Sequence, residues 1–235
     1  MNHLVSRLFR CLSGRATWQP RSVWAVLCLS VGFGVLSGCT TLLPPPKHMA
    51  IYDLGQPSAA LLEASRLDAH WTPASIEVRV PSWLATAAMQ YRLDYVPPAD
   101  RRWFAESRWA AQPSEMVQRY LMQTLGYARA SGNSTCRLRI EMEEFSQVFA
   151  AADNSAAVMN GTALILAQRE ERIVARRSFA LQVAANSATA QGGVEAHRAM
   201  VQQFAQEMTD WLRQEQISGT GESSLHARCA RVQRE

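Results

Sequence analysis

The sequence predicts an α+β fold: a two-layer sandwich in which one largely antiparallel sheet carries two helices on one face. Three observations lead there. Ile76, Val78 and Val80 alternate with Glu77 and Arg79, and Met89, Tyr91, Leu93 and Tyr95 alternate with Gln90, Arg92 and Asp94. That two-residue period belongs to half-buried strands. Two other stretches repeat apolar residues at steps of three and four, the spacing of amphipathic helices: Met116, Val117, Tyr120, Leu121 and Leu125, then Val194, His197, Val201, Phe204, Met208 and Trp211. Several strands grouped around only two such helices make a sheet with one covered face.

From the start of the chain, Arg7, Arg10, Arg15 and Arg21 precede an apolar run from Val23 to Leu36, and no acidic residue occurs before Cys39. A basic start followed by a short apolar run is the pattern of an export signal, and the 14 residues of this run fall short of the ~20 that a spanning helix needs. Leu36-Ser37-Gly38-Cys39 fits a lipobox, with small residues before the cut and a thiol to take the lipid. Residues 1–38 are therefore expected to be a lipoprotein signal peptide and Cys39 the lipidated first residue of the mature chain. Residues 39–48, with Pro44-Pro45-Pro46, read as an extended tether, because proline favours an extended backbone.

The single domain is expected over 49–217. It starts with a short strand, Ile51-Tyr52-Asp53-Leu54, stopped by Gly55, and a loose stretch to Pro73. Pro81-Ser82-Trp83-Leu84 must turn, since proline cannot donate to a ladder. Pro113-Ser114-Glu115 opens the first helix and Gly126 stops it. Leu138, Ile140 and Met142 then alternate with charged residues, but the phase slips to Phe145, Gln147 and Phe149, which predicts a bulge near Glu143-Glu144. Strands over roughly 158–168 and 172–183 flank a turn at Arg169-Glu170-Glu171, and the long helix follows. Ser218 to Ser224 reads as a linker, and 218–235 as a flexible tail. There is no internal repeat.

The chain holds 24 basic and 20 acidic residues. Four of the basic ones lie before Cys39, so the mature chain is formally neutral and shows no clustered footprint for nucleic acid. Of 235 residues, 38 precede Cys39 and 197 start from it, enough for one sizeable core. Cys136 and Cys229 are the remaining thiols. An even pair in an oxidising compartment is compatible with one disulfide; one buried thiol and one tail thiol is the equal alternative.

No nucleophile elbow, phosphate loop or Cys-x-x-Cys occurs, and Gly219-Thr220-Gly221 follows no strand. His48, His70, His197 and His226 lack metal-ligand spacing, and His197 reads as a boundary residue of the helical stripe. Glu141, Glu143 and Glu144 are the one acidic cluster; with Glu141 and Glu143 on one strand face, they read as a solvated edge. No catalytic, cofactor-binding or metal-binding residue is therefore assigned. Trp83 and Leu84, large apolar side chains in a turn, are candidates for a contact surface, with a lid folded back on the core as the alternative.

The lipobox, the Leu-Leu-Pro-Pro-Pro that follows, Tyr52-Asp53-Leu54-Gly55, Val80-Pro81-Ser82-Trp83-Leu84, Met89-Gln90-Tyr91-Arg92-Leu93, Trp109 to Pro113, Glu144-Phe145-Ser146-Gln147-Val148-Phe149 and Trp211 together resemble the ABC-type transport auxiliary lipoproteins. The resemblance spans nearly all of the mature chain. It departs at Ala150-Ala151-Ala152-Asp153, where a more polar turn is expected. It implies a non-enzymatic accessory of an MCE-type ABC transporter that moves phospholipid or similar hydrophobic molecules between inner and outer membranes. Its partners would be the periplasmic MCE-domain protein and its permease and ATPase, with self-association left open. Thr40, where an aspartate would resemble an inner-membrane retention signal, points to the outer membrane. A structural lipoprotein of outer-membrane assembly or secretion is the alternative.

Overall fold

The structure, a computed structural model, describes residues 48–65, 67, 71–98, 100–126, 134–167 and 171–230. The signal peptide, Cys39 and nearly all of the tether lie outside the described residues, as does most of the Arg169-Glu170-Glu171 turn. Residues from His48 onward form one compact unit.

Seven strands form one sheet: β1 (Ala50–Tyr52), β2 (Ile76–Arg79), β3 (Ala88–Leu93), β4 (Asp100–Trp109), β5 (Cys136–Ala151), β6 (Asn154–Ala167) and β7 (Ile173–Ala184). Their order is β1-β4-β3-β5-β6-β7, and β2 lies beside β5 in line with β3. The three longest pairings, β3 with β4, β5 with β6 and β6 with β7, are antiparallel. The three short ones, β1 with β4, β2 with β5 and β3 with β5, are parallel. The sheet is thus mixed, more so than expected, because β2 and β3 each join β5 after a connection long enough to cross over.

The helices are α1 (Ala59–Ala64), α2 (Pro113–Thr124), α3 (Ala190–Ile217) and α4 (Leu225–Ala230). Proline at its first position fixes the start of α2, where a missing N–H costs nothing. Thr189 caps α3 by accepting from Gly192 N. Val117, Leu121, Met200, Phe204 and Met208 from these two helices join Leu138, Ile140, Met142 and Phe145 of β5 in one core.

The expected bulge is present. Met142 faces Gly161 while Glu144 faces Asn160, so Glu143 is the extra residue. As a consequence Met142 and Phe145 share the core face, and Glu144 joins Glu141, not Glu143, on the other.

Three elements differ from the sequence reading. Residues 59–64, read as loose, are helical, capped by Ser58. β4 was not foreseen, since most of its side chains are exposed or half-buried and leave no apolar alternation. The segment read as a flexible tail contains a 3-10 turn at Gly221–Ser223 and then α4, whose Leu225 and Cys229 are buried in the core. Cys136 and Cys229 are bonded to each other, with their Cα atoms 5.3 Å apart across a sequence separation of 93; this link holds α4 against the sheet.

Candidate functional site

Trp83 and Leu84 part company. They sit in a 3-10 turn, Ser82–Leu84, closed by Leu84 N donating to Pro81 O at 2.9 Å. Leu84 is 1% exposed, whereas Trp83 is 45% exposed. Leu84 is therefore a buried peg and not part of any contact surface, because a tight turn with three residues per revolution sends consecutive side chains in different directions.

The outward position of Trp83 is built, not incidental. Gln90 Nε2 donates to Trp83 O at 2.7 Å, and the Arg101 guanidinium lies over the indole, 4.4 Å from the ring centroid, a cation–π contact. Arg101 is itself fixed: it donates to Gln90 Oε1 at 3.1 Å and to both carboxylate oxygens of Glu144, at 3.1 and 2.5 Å. Arg92 reaches the same carboxylate at 3.2 Å and holds Asp94 with two further bonds. Glu144 completes the set by accepting from Phe145 N at 3.1 Å.

A carboxylate buried like Glu144, with 8% side-chain exposure, is costly unless paired and hydrogen-bonded. Burial alone would raise its pKa, but the bond from Arg101 and the charges of Arg101 and Arg92 hold it below the ordinary carboxylate value. It is ionised at neutral pH. The reading of the acidic cluster as a solvated edge thus fails for Glu144: the bulge turns it onto the face where β3 and β4 present their arginines. The phase slip at 143–144 was the visible signal; the arginines came from strands whose pairing it could not show.

His197 is not a boundary residue. Its ring is buried between Phe145 and Trp109, with centroids 4.6 and 5.4 Å away. Nδ1 lies 2.7 Å from Gly193 O. A carbonyl only accepts, so Nδ1 carries the proton and Nε2 is bare; Nε2 is buried without a partner. Burial, opposed by the Gly193 bond, lowers its pKa to about 4, so the imidazole is neutral and packs as part of the core. Among the described residues no group of three or more His, Cys, Asp or Glu side chains is placed to hold a metal ion.

A cavity of about 340 Å³ lies where residues 53–56 and Ala110-Ala111 meet α2, with Glu115 and Arg119 at its wall. Asp53, one of its lining residues, is bonded by Arg198 through both Asp53 O and Asp53 Oδ1.

Fold and site define an α+β domain, a mixed seven-stranded sheet with four helices that holds one locked aromatic side chain exposed to solvent. The chain belongs to the ABC-type transport auxiliary lipoprotein component family, whose pattern it matches over residues 64–209, more than half of its length. Two solved structures share the fold. An uncharacterised protein aligns with a TM-score of 0.54 and 16% identity over 70% of this chain and 99% of its own. A DUF330 protein from Xanthomonas campestris aligns with a TM-score of 0.53 and 16% identity over 69% and 94%. No curated protein matches the sequence.

Proposed function

We propose that this chain is a non-enzymatic accessory lipoprotein of an MCE-type ABC transporter, which moves phospholipid or another hydrophobic molecule between the inner and outer membranes. Lipid on Cys39 holds it at the outer membrane, facing the periplasm, and Trp83 is part of the surface that meets the periplasmic MCE protein. Membership of a transport auxiliary family supports the first part. The observation that carries the second is the locked position of Trp83 beneath Arg101, which Glu144 holds in place. Tryptophan and arginine are the residue types that most often dominate binding energy, and a side chain already held in place loses less freedom on association. The tether confines the search to one membrane surface, which raises effective concentration.

The test is mild cross-linking in membranes followed by capture of this protein. Wild type should retrieve an MCE protein and an ABC permease. Trp83→Ala should weaken that capture about 30-fold, the equivalent of ~2 kcal/mol, with the thermal melt unchanged. Retrieval of an outer-membrane barrel or a secretin in place of the transporter would overturn the reading.

A further inference from the structure

The sheet edge around Trp103 carries a second exposed apolar group that transporter docking through Trp83 does not use. In the parallel pairing of β1 with β4, Ile51 lies opposite Arg108. Arg108 lies opposite Ala88, and Gln90 opposite Trp103. Paired residues share a face and alternate residues return to it, so Ile51, Arg108 and Trp103 stand together on the face turned away from the core of α2 and α3. Three apolar side chains here are exposed: Trp103 by 69%, Ile51 by 59% and Met49 by 45%. The pairing of β3 with β4 is irregular between Ala88 and Gln90. Beside that irregularity a cavity of about 490 Å³ opens, with Met49, Thr86, Ala88, Trp103, Phe104 and Arg108 in its wall.

We infer that this edge is a bilayer-contact surface: Met49, Ile51 and Trp103 enter the headgroup layer of the membrane that holds the anchor, and Arg108 meets anionic headgroups. The inference rests on the reading of the chain as anchored through Cys39, and it adds which face of the domain the membrane touches. Chain length chooses the occupant. Only the segment from Thr40 to His48 separates Cys39 from this patch, and fully extended the chain from Cys39 to Met49 spans at most about 36 Å. Met49 follows the tether directly in sequence, so no other strand of the domain is joined to the anchor by a shorter stretch of chain than this edge. The chemistry agrees. An indole has an apolar body and one N–H, which suits it to the boundary between hydrocarbon and water. Arg108 is exposed and makes no ion pair among the described residues, which leaves its charge for an anionic lipid.

The lipidated full-length protein in vesicles of phosphatidylethanolamine and phosphatidylglycerol, with plain or brominated acyl chains, tests this. Trp71, Trp109 and Trp211 are buried and contribute little to quenching from the bilayer. Wild type should float with the vesicles and lose tryptophan fluorescence only where the chains carry bromine. Trp103→Phe should remove more than half of that loss, while Trp83→Phe should keep most of it. Flotation without bromine-dependent loss would overturn the inference and leave anchoring intact, as would a Trp103→Phe protein that retains the whole loss. Failure of the wild type to float would overturn the anchoring itself, and this inference with it.

Discussion

Gln147 fills the space that a side chain at Gly193 would need: a Cβ there would stand 2.0 Å from Gln147 Oε1. The amide cannot easily move, because Gln147 is 1% exposed and its Nε2 donates to Ser155 Oγ at 2.8 Å and Thr189 O at 3.2 Å. One side chain thus ties β5 to β6 and to the first turn of α3, and it requires a bare backbone beside it. Gly193→Ala should gain ~1 kcal/mol in helix propensity yet lose more by overpacking, which costs ~1–3 kcal/mol. Urea denaturation should show a net loss of stability.

A stronger version of the same contact exists at Gly161, where a Cβ would lie 2.1 Å from the backbone oxygen of Glu141 and 2.9 Å from Phe179 Cζ. Backbone in the middle of a sheet has nowhere to go. Gly161→Ala should destabilise by ~3 kcal/mol or more, seen as a lowered denaturation midpoint, or should leave no folded protein to purify.

Leu84→Ala and Trp83→Ala separate the two residues of the turn. Truncating the buried leucine should cost ~2–5 kcal/mol by creating a cavity. Truncating the exposed tryptophan should change unfolding little. Equal losses in the two variants would place Trp83 in the core after all.

The bond between Cys136 and Cys229 closes a loop with a sequence separation of 93, worth roughly 4–5 kcal/mol in the chain-entropy description. Cys136→Ser/Cys229→Ser should lower the melting temperature and expose the α4 segment to limited proteolysis. Thiol titration of the denatured wild type, before and after reduction, should rise by two.

Stability should depend on pH in two distinguishable ways. His197, with a pKa of about 4 in the fold against ~6.5 in the unfolded chain, binds its proton more readily when unfolded. Its neutral form therefore favours the fold fully above ~6.5, and that advantage is lost as pH falls toward 4, on the order of 3 kcal/mol in all. His197→Leu should flatten this part of the profile. For Glu144 the folded pKa is below its ordinary value, so its contribution holds above the ordinary carboxylate pKa and disappears as pH falls through the lowered one. Glu144→Gln should cost roughly 1–3 kcal/mol at neutral pH, less than a fully buried pair because both guanidiniums keep contact with water.

What the sequence determined by itself is whatever depends on which way successive side chains face. Alternation in 76–80 and 89–95, the helical stripe from Val194 to Trp211, proline at the start of α2 and the slip at Glu143-Glu144 each report a local period, and they were enough for the α+β class and the bulge. Partners are not local. That β2 runs parallel to β5, that the mostly exposed β4 joins the sheet, that Glu144 finds Arg92 and Arg101, and that Cys229 reaches Cys136 were decided only by tertiary structure. Apart from the local pairing of β4 with β3, each joins residues dozens of positions apart, where the gain appears only once the chain has closed on itself. Trp83 and Leu84 show the limit most plainly: adjacent in sequence and alike in apolarity, they are separated into surface and interior by one 3-10 turn.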